Sequence, residues 1–99
     1  MTLLETLIRL RDNGPIAPHY GICWNASQLS GNDSFERRIC GLAEDWPGSA
    51  GSHSFPVEGC AGRYSSDEGR NNRWNRSHPY GRRRYALLDW LIADLEARQ

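Results

Sequence analysis

Apolar side chains recur at helical spacing in three stretches of the chain. In residues 2–12, Leu3, Leu4, Leu7, Ile8 and Leu10 form one broad face, the repeat of an amphipathic helix. Thr2 and Glu5 stand three apart at its start, the spacing at which a hydroxyl and a carboxylate cap each other's backbone amides. Gly14-Pro15 ends the pattern. In residues 33–46, Phe35, Ile39, Leu42, Ala43 and Trp46 share a second face. Asp33 and Glu36 offer another capping box there, and Pro47-Gly48 stops the helix. Gly41 inside it weakens the helix by about 1 kcal/mol relative to Ala. The longest pattern covers residues 80–97, where Tyr85, Leu88, Leu91, Ile92 and Leu95 form a stripe that Leu87 and Trp90 widen.

The stretches between read differently. Pro15 and Pro18 discourage helix in the first connection. Tyr20-Gly21-Ile22-Cys23-Trp24 then reads as a short extended run that buries Ile22 and Trp24. Residues 47–79 are rich in Gly, Ser and Asn, with Phe55-Pro56-Val57 as their one buried-looking segment. A loop this long is uncommon in a compact domain unless it is functional or tied down, and Tyr64, Trp74 and Tyr80 could tie it. The expectation is a single domain, residues 1–99, mainly α: three helices around one core with a long ordered loop. An α+β variant would pair residues 22–24 with 55–57 as a short two-stranded sheet.

Charge adds a feature that periodicity does not show. The formal net charge is zero, and all twelve basic side chains are Arg. Residues 1–62 hold four Arg and seven acids, residues 63–84 hold seven Arg and two acids, and residues 85–99 hold one Arg and three acids. A general nucleic-acid binder is usually basic overall, so nucleic acid is a poor fit. A local cluster suits a small anion or an acidic protein patch, and Arg recognises either in a planar, bidentate way.

The candidate chemistry lies in that cluster. Arg82, Arg83 and Arg84 fall at the start of the last helix, the end that already carries partial positive charge. Either acids of the first half, such as Glu36, Glu44 or Asp45, neutralise them, or a phosphate or carboxylate does. Just upstream, Arg73-Trp74, Arg76 and Tyr80 alternate cations with rings, a composition that suits nucleotides. The candidate ligand-binding residues are therefore Arg73, Trp74, Arg76, Tyr80, Arg82, Arg83 and Arg84. In the competing reading Trp74 and Tyr80 pin the loop and the arginines are solvated.

Catalytic chemistry finds little support. Ser52-His53-Ser54 lacks a nucleophile-elbow glycine pattern, and Asp67-Glu68 reads as a solvated pair. No Lys exists for a phosphate-binding loop. Cys23, Cys40 and Cys60 are odd in number and widely spaced, which fits reduced thiols better than a disulfide scaffold. Neither they nor His19, His53 and His78 have zinc-ligand spacing. No enzyme activity, cofactor or metal is expected. No apolar run is long enough to span a membrane, and Glu5 and Arg9 interrupt any signal-peptide pattern.

Three blocks carry a resemblance: Gly21-Ile22-Cys23-Trp24-Asn25; Trp46-Pro47-Gly48-Ser49-Ala50-Gly51 running to Phe55-Pro56-Val57; and Tyr80-Gly81 with Arg84 leading into Leu87-Leu88-Asp89-Trp90-Leu91-Ile92. Together they resemble a group of small bacteriophage-encoded proteins. The sequence departs from that pattern at Phe55, where the group has Tyr, and at Glu58, where it has Pro. The resemblance brings no activity with it and implies a phage product acting in the host bacterial cytoplasm. The expected function is a non-enzymatic inhibitor of a host defence pathway that sequesters a nucleotide-like signal. The alternative is an inhibitor that docks directly on a host enzyme through its Arg-rich surface. A chain this small has little interior for a pocket, so ligand capture would favour a homo-oligomer.

Overall fold

The computed structural model describes residues 1–47 and 72–99. Four helices are present among them: α1 (Leu3–Asn13), α2 (Ile22–Ser30), α3 (Ser34–Ala43) and α4 (Pro79–Ala97). The architecture is mainly helical, as the periodicity indicates, with one helix more than expected and no strand among the described residues. The proposed sheet fails at its first strand, because residues 22–24 are helical. Residues 55–57 lie outside the described residues, as does most of the long loop.

Local chemistry sets each helix. At α1 the capping box forms: the Glu5 amide donates to Thr2 Oγ1 at 3.1 Å, and the Thr2 amide donates to Glu5 Oε1 at 3.0 Å. The Thr2 amide and then its hydroxyl hold the Glu5 carboxyl below its ordinary pKa. Gly14 closes α1 with φ of 87°, a conformation that favours glycine. At α3 the expected box does not form, and Asp33 makes no side-chain capping bond. Asn32 takes the role instead, its Oδ1 accepting from the Ser34 amide at 3.0 Å. The Glu36 carboxylate accepts from Ser27 Oγ at 3.2 Å. The helix also ends earlier than expected, and single turns carry the chain from Ala43 to Trp46. At α4, His78 caps and Pro79 opens the first turn, where its missing N–H costs nothing.

The unexpected helix is α2. It opens at Gly21 without a side-chain cap and ends at Gly31 with φ of 69°. Ile22, Cys23 and Ala26 enter the core, and Leu29 packs beside it. Asn25 is completely buried and holds the preceding loop. Its Oδ1 accepts from the Ile16 and Ala17 amides at 2.8 and 2.9 Å. Its Nδ2 faces the carbonyls of Ala17, Tyr20 and Gly21 at 3.1, 3.2 and 2.9 Å. An extended segment at residues 20–24 would leave Asn25 unable to satisfy this loop, so the helix wins.

One core joins the four helices. α1 packs on α2 and α4, and α3 packs on α2 and α4. Leu3, Leu7, Leu10, Phe35, Ile39, Leu87, Leu88, Leu91 and Ile92 fill its centre. Each such side chain contributes about 1.5–3 kcal/mol when fully buried. This packing sets α4 so that one face of its first turns looks inward and another looks out.

Candidate functional site

The arginine and aromatic cluster is built on the segment before α4 and on the first turns of α4 itself. Asx and backbone turns shape the segment: Asn75 Oδ1 accepts from the Ser77 amide at 2.9 Å, and the His78 amide donates to the Asn75 carbonyl at 3.1 Å. The segment then lies directly on Gly81. A Cβ built there would stand 1.8 Å from the Asn75 carbonyl oxygen, so only glycine permits this approach.

The candidate residues divide into two groups. Arg73, Trp74 and Arg84 come together facing inward. Arg84 is 1% exposed and Arg73 is 3% exposed. Arg84 Nη1 donates to the Tyr20 carbonyl at 2.9 Å, and Trp74 Nε1 donates to the same oxygen at 3.3 Å. Arg73 Nη1 donates to the neighbouring His19 carbonyl. The Arg84 guanidinium also lies 4.8 Å above the Trp74 ring, an attraction worth about 2 kcal/mol where water is excluded. The Trp74 ring meets Tyr85 edge-on, with centroids 5.8 Å apart. These contacts hold the His19 and Tyr20 carbonyls of the loop that Asn25 also organises, Asn25 Nδ2 facing the same Tyr20 oxygen. Their chemistry is charge-assisted hydrogen bonding to backbone carbonyls, and it anchors structure.

Arg76 sits at the edge of this group. Its guanidinium lies 3.9 Å over the Tyr85 ring and 4.0 Å from Asp89 Oδ2, both charged groups being about half exposed. Tyr80 is half-buried and packs against His78, with ring centroids 5.2 Å apart.

Arg82 and Arg83 form the outward group. Both are exposed. With Pro79 and Ala86 they share one face of α4, three to four residues apart. Trp46, at the end of the α3 region, completes a shallow open groove of about 390 Å³ on this face. The groove lining therefore joins an indole, two guanidinium groups and no carboxylate among the described residues. A planar ring can stack on Trp46 while an anionic group pairs with the arginines. Among the described residues ion pairs join Arg11 to Asp12, Arg76 to Asp89 and Arg98 to Asp94, and Arg83 and Arg84 make further contacts of their own.

Trp46 was not foreseen in the site. Its spacing placed it on the apolar face of a helix, and nothing local relates it to residues 79–86. Asn25 was likewise missed as an organiser, because a polar residue inside an apolar period carries no sequence signal of its partners. Ser52, His53, Asp67, Glu68 and Cys60 lie outside the described residues. Among the described residues no group of three or more His, Cys, Asp or Glu could hold a metal ion. No helix among them is long and apolar enough to cross a membrane.

No family model, curated protein or solved structure matches the chain.

Proposed function

We propose that this protein is a non-enzymatic bacteriophage product that inhibits a host defence pathway in the bacterial cytoplasm by sequestering a nucleotide-like anion. The phage setting rests on the three sequence blocks. The observation that carries the ligand class is the groove of Trp46, Arg82, Arg83, Pro79 and Ala86. It offers one aromatic surface and two cations at the positive end of a helix of 19 residues. The inward arginines do not touch the ligand in this reading. They hold α4 and the loop at residues 16–20, so that the outward arginines are presented on a fixed frame.

The openness of the groove favours a second reading, in which an acidic surface of a host enzyme docks there. Small-molecule sites are usually concave and enclosing, whereas a shallow rim of charge suits protein recognition. A second copy of the chain would deepen the groove and restore the first reading. Native mass spectrometry of the freshly purified protein, followed by titration with mononucleotides and cyclic nucleotides, separates them. Sequestration expects a stoichiometric nucleotide adduct that Trp46→Ala and the Arg82→Ala/Arg83→Ala pair both abolish. A chain that takes no nucleotide and instead retains an acidic host enzyme through Arg82 and Arg83 overturns sequestration in favour of docking.

A further inference from the structure

Two thiols that the proposed function does not use meet between α2 and α3. Cys23 Sγ and Cys40 Sγ stand 3.3 Å apart. A disulfide bond is about 2.05 Å long, so roughly 1.3 Å of closure separates the two states. The cysteines lie 17 residues apart in sequence, on helices that pack directly on one another across the short connection at residues 31–33. Their accessibilities differ: Cys23 is 3% exposed, and Cys40 is half-buried. Cys23 is also the second residue of a helix that has no side-chain cap and no acid in its first turn. That end of a helix favours the Cys23 thiolate, the form in which it attacks an oxidised partner sulfur.

We infer that Cys23 and Cys40 form a peroxide-reactive dithiol that closes to an intramolecular disulfide joining α2 to α3. Cys40, the more accessible thiol, attacks hydrogen peroxide. The O–O bond breaks, one oxygen stays on sulfur as a sulfenic acid, and the other leaves as water with the thiol proton. Cys23 Sγ then attacks the Cys40 sulfur. The S–O bond breaks, and the departing hydroxide leaves as water with the Cys23 proton. Two thiols and one peroxide give one disulfide and two waters, a two-electron oxidation of the protein. The buried position of Cys23 shields it from other nucleophiles and electrophiles, which makes it the resolving thiol.

The test uses the wild-type full-length chain. Folded protein is treated with equimolar hydrogen peroxide, its remaining thiols are alkylated, and it is cleaved after Arg and Glu. Cleavage after Glu44 separates Cys40 from Cys60, which would otherwise share a peptide. The expected result is loss of two hydrogens from the intact mass and a link between peptides 12–36 and 39–44, with Cys60 alkylated. Dithiothreitol restores alkylation at both sites. In denaturant the same treatment should distribute links among all three cysteines, because the fold no longer selects the pair. Alkylation of both Cys23 and Cys40 in the treated native chain overturns the inference. So does a link from either of them to Cys60 or to a second molecule.

Discussion

Arg82, Arg83 and Arg84 are three identical side chains in a row, and the fold treats them in opposite ways. Arg84 turns inward, is almost wholly buried, and holds a backbone carbonyl and the Trp74 ring. Arg82 and Arg83 face outward and line a groove with Trp46. A helix advances about 100° per residue, so one step along the chain moves a guanidinium from core to solvent. The two glycines inside helices differ in the same way. A Cβ at Gly81 would collide with the Asn75 backbone, and a Cβ at Gly41 would meet nothing within 4 Å. Residue type therefore says little here about role; the direction a position faces decides whether it builds the frame or meets a partner.

The largest expected effect belongs to Gly81→Ala. The methyl group would force the Asn75 backbone away and with it the segment that carries Arg73 and Trp74. Overpacking against backbone costs about 3 kcal/mol or more. Chemical denaturation should show a midpoint far below that of the wild type with an unchanged slope. A wild-type midpoint would mean that residues 72–78 do not rest on α4 as described.

Arg84→Ala comes next. It removes the charge-assisted bond to the Tyr20 carbonyl and the contact with Trp74, and it leaves space in the core. The expected loss is about 3 kcal/mol, a fall in melting temperature of roughly 12 °C or more for a chain this size. The sequence alone suggested that Arg84 and Trp74 touch ligand. The structure turns both toward the loop at residues 16–20, so their substitution should register first as lost stability.

Gly41→Ala runs in the opposite direction. Gly41 is an exposed helical position with open space around it. Alanine lowers the entropy lost on folding, so the variant should gain about 1 kcal/mol, read as a higher melting temperature. A loss instead would show that another part of the chain covers this face of α3.

Most of the frame was legible and most of the site was not, for reasons these positions make plain. α1 and α4 follow from unbroken apolar periods and clear stop signals. α2 was hidden because Asn25 and Ser27 occupy its inner face, where apolar residues were sought. Ile22, Cys23, Ala26 and Leu29 nevertheless keep helical spacing, and that signal outweighs the β-branched and aromatic residues that suggested a strand. The capping boxes show the limit of spacing rules. Thr2 with Glu5 forms one, while Asp33 with Glu36 does not: Asn32 caps the Ser34 amide, and the Glu36 carboxylate is held by Ser27 Oγ. For the site, composition singles out the arginines and rings along the chain. It could not divide them, because the division depends on the rotation of α4 against the core. Nor could it find Trp46, which reaches Arg82 and Arg83 only through the way α3 packs on α4.

The smallest expected change in stability is also the sharpest test of the contrast. Arg82→Ala and Arg83→Ala remove two exposed side chains near a positive helix end, where a cation is unfavourable by a few tenths of a kcal/mol, which offsets the loss of Arg83's further surface contact. Alanine is also the better helix former. The double variant should therefore melt within about 0.5 kcal/mol of the wild type, or slightly above it. If these arginines serve a partner, the same variant should lose binding altogether. One melt and one titration on Arg82→Ala/Arg83→Ala, beside the same pair on Arg84→Ala, place each arginine on its side of the molecule. A double variant that unfolds as readily as Arg84→Ala would mean that the outward face is structural too, and the groove would lose its claim to a ligand.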